Sequence, residues 1–150
     1  MATAAIITAA GSGIRFGGEK QFKALAKKPL LFYSIDVFLS VEEINFLVIV
    51  VPKKSVHEIT ANIQKQYNMQ KIKVISGDRE RQGSVFKGIN AVPDHYNTVI
   101  IHDGVRPFIS KSLIKLNLYY SKYFDGVVTA IKATDTIKFS KDNFIDKTID

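Results

Sequence analysis

Five short apolar runs alternate with stretches of helical spacing over the first 133 residues, and that alternation leaves few architectures open. The runs are "AAIIT" (4–8), "NFLVIVV" (45–51), "KIKVIS" (71–76), "TVIIHD" (98–103) and "GVVTAIKA" (126–133). They are mostly continuous rather than alternating in polarity, as strands covered on both faces are. Pro52 closes the second, since proline cannot donate to a ladder. Between the runs, "PLLFYSIDVFLS" opens on Pro29, which is favoured at a first helical position, and sets Leu31, Ile35, Phe38 and Leu39 on one face. The spacing recurs in Val56, Ile59, Ile63 and Tyr67, and again in Val85, Ile89 and Val92. Ser110 is placed to cap a fourth helix carrying Leu113, Leu116, Tyr120 and Tyr123. Strands alternating with helices predict an α/β fold with a doubly wound, mostly parallel sheet.

After residue 133 the pattern changes. Two β-rich arms, Thr136–Phe139 and Phe144–Ile149, flank the turn residues Ser140 to Asn143. They predict a hairpin protruding from the sheet. The chain therefore divides into an α/β domain over residues 1–133 and a β-arm over residues 134–150.

Composition narrows the function classes. With 150 residues, 46% hydrophobic and 23% charged, the chain fits one soluble globular domain. No apolar run approaches the roughly 18–20 residues that span a bilayer, and no basic region precedes the apolar N-terminus. The chain has no cysteine, which excludes disulfides, thiolate metal sites and cysteine nucleophiles. A cytoplasmic place is expected, with no membrane partner. The net charge of +7 suits nucleic acid or a phosphorylated small molecule. The basic residues are scattered, and the densest patches, "KALAKK" and "GDRERQG", are short. A nucleic-acid binder concentrates them on one face, so no nucleic-acid partner is expected.

In open parallel sheets ligands sit outside the carboxyl ends of the strands. Residues 9–20, 76–84 and 102–107 all leave strands at that edge. The first loop, "AAGSGIRFGGEK", holds Gly11 and Gly13, which let backbone N–H groups approach an anion, and adds Arg15 and Lys20. Its spacing misses the dinucleotide fingerprint by one residue and lacks a Walker lysine-serine pair. A tight strand-to-helix turn with solvated charges accounts for the same residues. The second loop, "SGDRERQGS", pairs glycines with Ser84, either to read a base edge or simply to cap a helix. The third, "HDGVRPF", sets Asp103 and Arg106 beyond a strand, an acid for a ribose hydroxyl or metal ion and an arginine for phosphate. His102 reads as a satisfied structural residue, and His57 and His95 belong to no constellation. There is no nucleophile elbow and no metal-ligand spacing. Glycine backbone and cations suit positioning and charge stabilisation in phosphoryl chemistry.

"AAGSGIRFG" with "KQF", then "GDRERQGSV", "HDGVRPF" and "ATDTIK", in this order, resemble the 2-C-methyl-D-erythritol 4-phosphate cytidylyltransferase family. The resemblance covers the N-terminal two-thirds of the family's pattern. It implies a Rossmann-like nucleotidyltransferase that joins CTP and methylerythritol phosphate, releases pyrophosphate and uses Mg²⁺ held largely by the CTP phosphates. Ribitol-5-phosphate cytidylyltransferase, or a non-catalytic CTP-binding module, is the alternative reading.

Carried over by residue, Ala9, Ala10 and Gly11, with Ser12 and Gly13, match the backbone that wraps the triphosphate. Arg15 and Lys20 match the pair that stabilises the pentavalent transition state. Gly77 and Ser84 match the nucleotide loop, Asp103 and Arg106 the sugar and substrate side. Thr136 matches the arm residue that reaches the methylerythritol phosphate of the partner subunit in a homodimer clasped by its arms. There are departures. Glu19 stands where the family has proline, Asp78 where it has a second glycine, and Gly83 where it has an acid. The family's pattern continues past the position of Asp150 with an arginine and later a lysine that position the second substrate; this chain reads as truncated before them.

Overall fold

The computed structural model describes residues 2–149, leaving the side chain of Arg15 outside the description. Four parallel strands form the central sheet: β1 (Thr3–Thr8), β4 (Ile44–Val51), β5 (Ile72–Ser76) and β6 (Thr98–Asp103), in the order β5-β4-β1-β6. β1 lies between β4 and β6, with Ile7 opposite Ile49 on one side and His102 on the other. Successive side chains face opposite ways. Ala5, Ile7, Leu47, Ile49 and Val51 therefore join one core, and Ile6, Val48 and Val50 the other.

Helices α1 (Leu30–Leu39), α2 (Val56–Gln64) and α4 (Lys111–Tyr120) cover the first face through Leu31, Ile35, Phe38, Ile59, Ile63, Ile114 and Leu118. α3 (Arg81–Asn90) covers the second. There a Cβ on Gly88 would come 2.6 Å from Ile6, so the helix lies close against the sheet because it has no side chain at that point. The sheet is doubly wound, as its alternation predicts. The chain moves outward from β1 to β5, then crosses to β6 on the other side of β1. The strand order reverses there, and at such a switch point the loops part and leave a crevice.

Three expectations need correction, besides the face of α4, which buries Ile114 and Leu118 while Leu116, Tyr120 and, past the helix, Tyr123 are exposed. Pro29 does not begin a helix. It is extended (φ −59°, ψ 140°) and pairs with Ala24 in a small hairpin of β2 (Ala24–Leu25) and β3 (Lys28–Pro29). The turn between them is Ala26-Lys27, both at positive φ without glycine, so the usual turn residues that signal a hairpin are missing.

Residues 126–133 do not form a fifth strand. An open cleft lies along β6, with Gly126 to Thr129 on its wall. The segment is tied instead to α4, where the Asn117 amide donates to Thr129 Oγ1 at 3.0 Å. Val128 and Ile131 stay exposed, so β propensity has no neighbouring strand to act on.

The third correction concerns the arm. It is a hairpin, but its turn is only Asp142-Asn143, both at positive φ. Ser140 and Lys141 belong to β7 (Ile137–Lys141), which pairs antiparallel with β8 (Phe144–Ile149). A two-residue turn of that backbone type matches the twist of the flanking strands. All of β7 and β8 is exposed, and Thr136 sits immediately before β7.

Ser110 caps α4 as its sequence position predicts, its Oγ accepting from the Leu113 N–H at 3.2 Å. Ser110→Ala is expected to lower unfolding stability by about 1 kcal/mol in urea titration, and Ser110→Asp to restore it.

Candidate functional site

Sheet pairing continues one residue past the strand ends. Ala9 N–H donates to Val50 O (2.7 Å), Gly77 N–H to Val51 O (2.8 Å) and Gly104 N–H to Thr8 O (2.8 Å). Three loops thus leave the carboxyl edge from fixed, adjacent points. They also touch. A Cβ on Gly77 would lie 2.2 Å from Ala10 Cβ and 2.9 Å from Ser84 Oγ, so only glycine lets the second loop lie this close to the first.

The first loop closes on itself. Phe16 N–H and Gly18 N–H both donate to Gly13 O, at 2.8 and 3.1 Å. Gly13 (φ 66°) and Gly17 (φ 78°) hold left-handed backbone, and a Cβ on Gly13 would lie 1.7 Å from Gly18 O. No atom beyond its two chain neighbours lies within 4 Å of such a Cβ on Gly11, so that side of the residue is open. Arg15 lies on the Ile14–Phe16 turn of this loop, but its side chain is outside the described residues. Lys20 begins the next turn, Lys20–Phe22, with Nζ 5.5 Å from the centre of the exposed Phe16 ring. Glu19 turns away from Lys20 and pairs with Lys54 at 3.2 Å, so its opposing charge is met on the β4 side.

In the second loop Ser84 is buried. Its Oγ accepts from Asp78 N–H at 2.9 Å and so shapes the loop from within, while the cap position of α3 is held by Glu80. Lys87 Nζ is 2.8 Å from Asp78 Oδ2 and donates to Gly77 O, and it holds the Asp78 carboxyl below its ordinary range. A Cβ on Gly83 would fall 2.8 Å from Asp78 Cβ and 2.9 Å from its carboxyl carbon. The two departures from the family pattern therefore fit each other: the acid at position 78 fills the space that a side chain at 83 would need.

In the third loop Asp103 is gripped from three sides. Arg81 Nη2 lies 2.9 Å from Oδ1, Arg106 Nε 3.2 Å from Oδ2, and Thr8 Oγ1 donates to Oδ1 at 3.3 Å. His102 is buried and structural. Its Nε2 lies 3.1 Å from Arg106 O, and because a carbonyl only accepts, Nε2 carries the proton. That bond fixes the backbone from which the Arg106 guanidinium reaches out.

Lys20, Arg81, Asp103 and Arg106 meet at one cleft of about 1440 Å³ that runs on along β6. Cations from three loops on one cleft wall suit a polyanion, and the glycine backbone of the first loop leaves the same sheet edge. The structure brings Ala9, Ala10, Gly11, Ser12, Gly13, Lys20, Gly77, Ser84, Asp103 and Arg106 to one edge, and leaves Thr136 apart at the base of the arm. Among the described residues no three His, Asp or Glu side chains cluster as a metal cage. No described helix is long and apolar enough to cross a membrane.

The family model of IspD, 2-C-methyl-D-erythritol 4-phosphate cytidylyltransferase, matches residues 3–150. The chain belongs to this family. The enzyme of that name from Clostridium acetobutylicum is 39% identical over 97% of the chain and 65% of its own length. That of Alkaliphilus oremlandii is 36% identical over 94% and 61%. The crystal structure of 4-diphosphocytidyl-2C-methyl-D-erythritol synthase from Anaerococcus prevotii superposes with a TM-score of 0.88 at 31% identity, covering 99% of the chain and 64% of that structure. The chain thus spans slightly less than two-thirds of these IspD relatives, between 61% and 65% of their length.

Two site residues of this IspD-family chain are not among the sequence candidates. Arg81 stands inside the quoted "GDRERQGSV", but only the fold shows it reaching Asp103, 22 positions away. Gln21 stands inside "KQF" and is buried against the first loop, its Nε2 donating to Gly11 O at 3.0 Å.

Burial is the main cause that lowers the His102 pKa below 6.5; Asp103 and the Arg106 carbonyl pull it upward against that. The folded state therefore resists protonation. The stability this brings is complete above pH 6.5 and is lost as pH falls through the depressed folded value. Urea midpoints should drop from pH 7.5 to pH 5.5 in the native protein, and His102→Gln should flatten that drop.

Proposed function

We propose that the chain is the nucleotide-binding part of a cytidylyltransferase that moves CMP from CTP to 2-C-methyl-D-erythritol 4-phosphate and releases pyrophosphate, on the way to isoprenoid precursors. The observation that carries this reading is the meeting of three loops at one sheet edge in a chain of the IspD family. Placement in the cytoplasm goes with the same reading.

In this reading the triphosphate lies along the backbone of Ala9 to Gly13 and the cytosine lies by Gly77 to Ser84. A phosphate oxygen of the acceptor attacks the α-phosphorus, the bond to the β-phosphate oxygen breaks, and pyrophosphate departs. Lys20 and Arg15 neutralise charge that grows on the α-phosphoryl oxygens, and such fixed charges act on the transition state more than on the ground state. Asp103 and Arg106 hold the sugar and acceptor side. Asp103 is supported for that work by its contacts with Arg81 and Thr8.

Both oxygens of Asp103 already face guanidinium groups, so the protein offers few free oxygens, and a Mg²⁺ ion would come with the triphosphate, whose oxygens would supply most of its ligands. When bound, the ion screens the charge of the phosphates. In solution CTP with Mg²⁺ should raise the melting temperature, while ATP and UTP do so less; equal null shifts would remove the reading. In a full-length version of the enzyme, Lys20→Ala should leave CTP affinity within about threefold and cut pyrophosphate release by about 10²–10³-fold.

Residues 134–150 are proposed as a dimerisation arm. Phe139, Phe144, Ile145 and Ile149 are exposed on a two-stranded hairpin, a structure that is marginal alone in water. A second copy's arm in a two-fold dimer would cover them and bring Thr136 to the other subunit's acceptor. Sedimentation should give a dimer for the intact chain and a monomer after removal of residues 134–150. A monomeric intact chain at high concentration would overturn this.

A further inference from the structure

Gln21 is an unusual residue to bury. Its side chain is 2% exposed, although it sits in a three-residue turn on the protein's ligand-facing edge. Its neighbours on that turn, Lys20 and Phe22, are less buried. Burying a primary amide costs free energy unless it is hydrogen-bonded. The bond Gln21 makes is to the backbone of the first loop, Nε2 to Gly11 O at 3.0 Å.

That bond has a geometric consequence. No peptide bond among the described residues is cis. In a planar trans peptide the C=O and the following N–H point in opposite directions. Pulling the Gly11 carbonyl inward to Gln21 therefore turns the Ser12 N–H outward. Ser12 is exposed, and nothing stands within 4 Å of the space a Cβ on Gly11 would take. The same turn carries Lys20, so one buried amide fixes both the orientation of a backbone donor and its separation from the cation.

We propose that Gln21 is a positioning residue for the anion cradle, which sets the Gly11–Ser12 peptide so that the Ser12 N–H meets a phosphate oxygen of the nucleotide. This rests on the nucleotide reading given above. The neighbouring glycines tolerate other backbone orientations, since glycine loses most freedom when it is fixed. Without the Gln21 bond the peptide is free to turn, and the donor is lost from the site although every loop residue is still present.

The test compares the native protein with Gln21→Met, which keeps size and length and removes the donor, and with Gln21→Glu, whose carboxylate faces the Gly11 carbonyl as a second acceptor. CTP with Mg²⁺ and inorganic tripolyphosphate are the probes, titrated by calorimetry and by amide NMR. In the native protein the Ser12 amide should be among the resonances that move most with either probe. A scalar coupling across the hydrogen bond should link Gln21 Nε2 to the Gly11 carbonyl carbon. Gln21→Met should weaken CTP binding about tenfold or more, with its melting temperature within a few degrees of native, and Gln21→Glu should weaken it further.

A Gln21→Met protein that binds CTP as the native one does would overturn the proposal and leave the nucleotide reading standing. A native protein that binds neither probe would overturn both. If Gln21→Met does not fold, the native spectra still decide: a Ser12 amide that does not respond to bound CTP overturns the proposal, and one that responds together with the coupling supports it.

Discussion

Three backbone hydrogen bonds, Ala9 to Val50, Gly77 to Val51 and Gly104 to Thr8, carry the sheet's pairing just past its carboxyl edge, and the rest of the site depends on them. Each is a main-chain bond, so it fixes where a loop starts whatever side chains follow. Because β1 is central and the order reverses between it and β6, the loops after β1 and β6 begin side by side and then part. The loop after β5 starts further out, yet reaches them because Gly77 has no side chain to hold it away from Ala10. The convergence of the loops follows from strand order and from one missing methyl group.

Charge is then distributed so that the cations of the site do not repel one another apart. Arg81 and Arg106 approach from opposite sides of Asp103, and Lys87 is paired with Asp78. These pairs are largely exposed, where an ion pair is worth little to stability. In the proposed reading their use is to hold guanidinium groups in place, near where an anion would arrive. A phosphate that competes with Asp103 for a guanidinium meets a group already oriented, which reduces the ordering cost of binding.

The parts legible in the sequence were those set by local pattern. The four sheet strands and the α4 cap could be read because β-branched runs and a Ser110 ahead of an apolar helix depend on near neighbours only, although β6 leaves Val99 and Ile101 exposed. The loops were legible as loops because each follows a strand at the same edge and carries glycines, while their spacing left their chemistry open. What escaped depended on distant partners. Residues 126–133 look like a strand, but no strand adjoins them. The Ala26-Lys27 turn holds positive φ without glycine, so no turn residue announces it. In the sequence Arg81 and Gln21 look like ordinary solvent-facing residues, and only the fold reveals that one reaches Asp103 and the other Gly11 O. The exchange of an acid between positions 78 and 83 shows as two separate departures in sequence and as one shared space in three dimensions.

The central claim is that three loops separated in sequence act as one cradle. Amide hydrogen exchange with and without CTP and Mg²⁺ reads this directly, because it reports each backbone segment on its own. Residues 9–13, 77–84 and 103–106 should all gain protection over the same range of CTP concentration, with the arm at 137–149 unaffected in the nucleotide titration. Protection confined to a single loop, or protection that appears along β6 and α4 while the first loop stays unchanged, would contradict it.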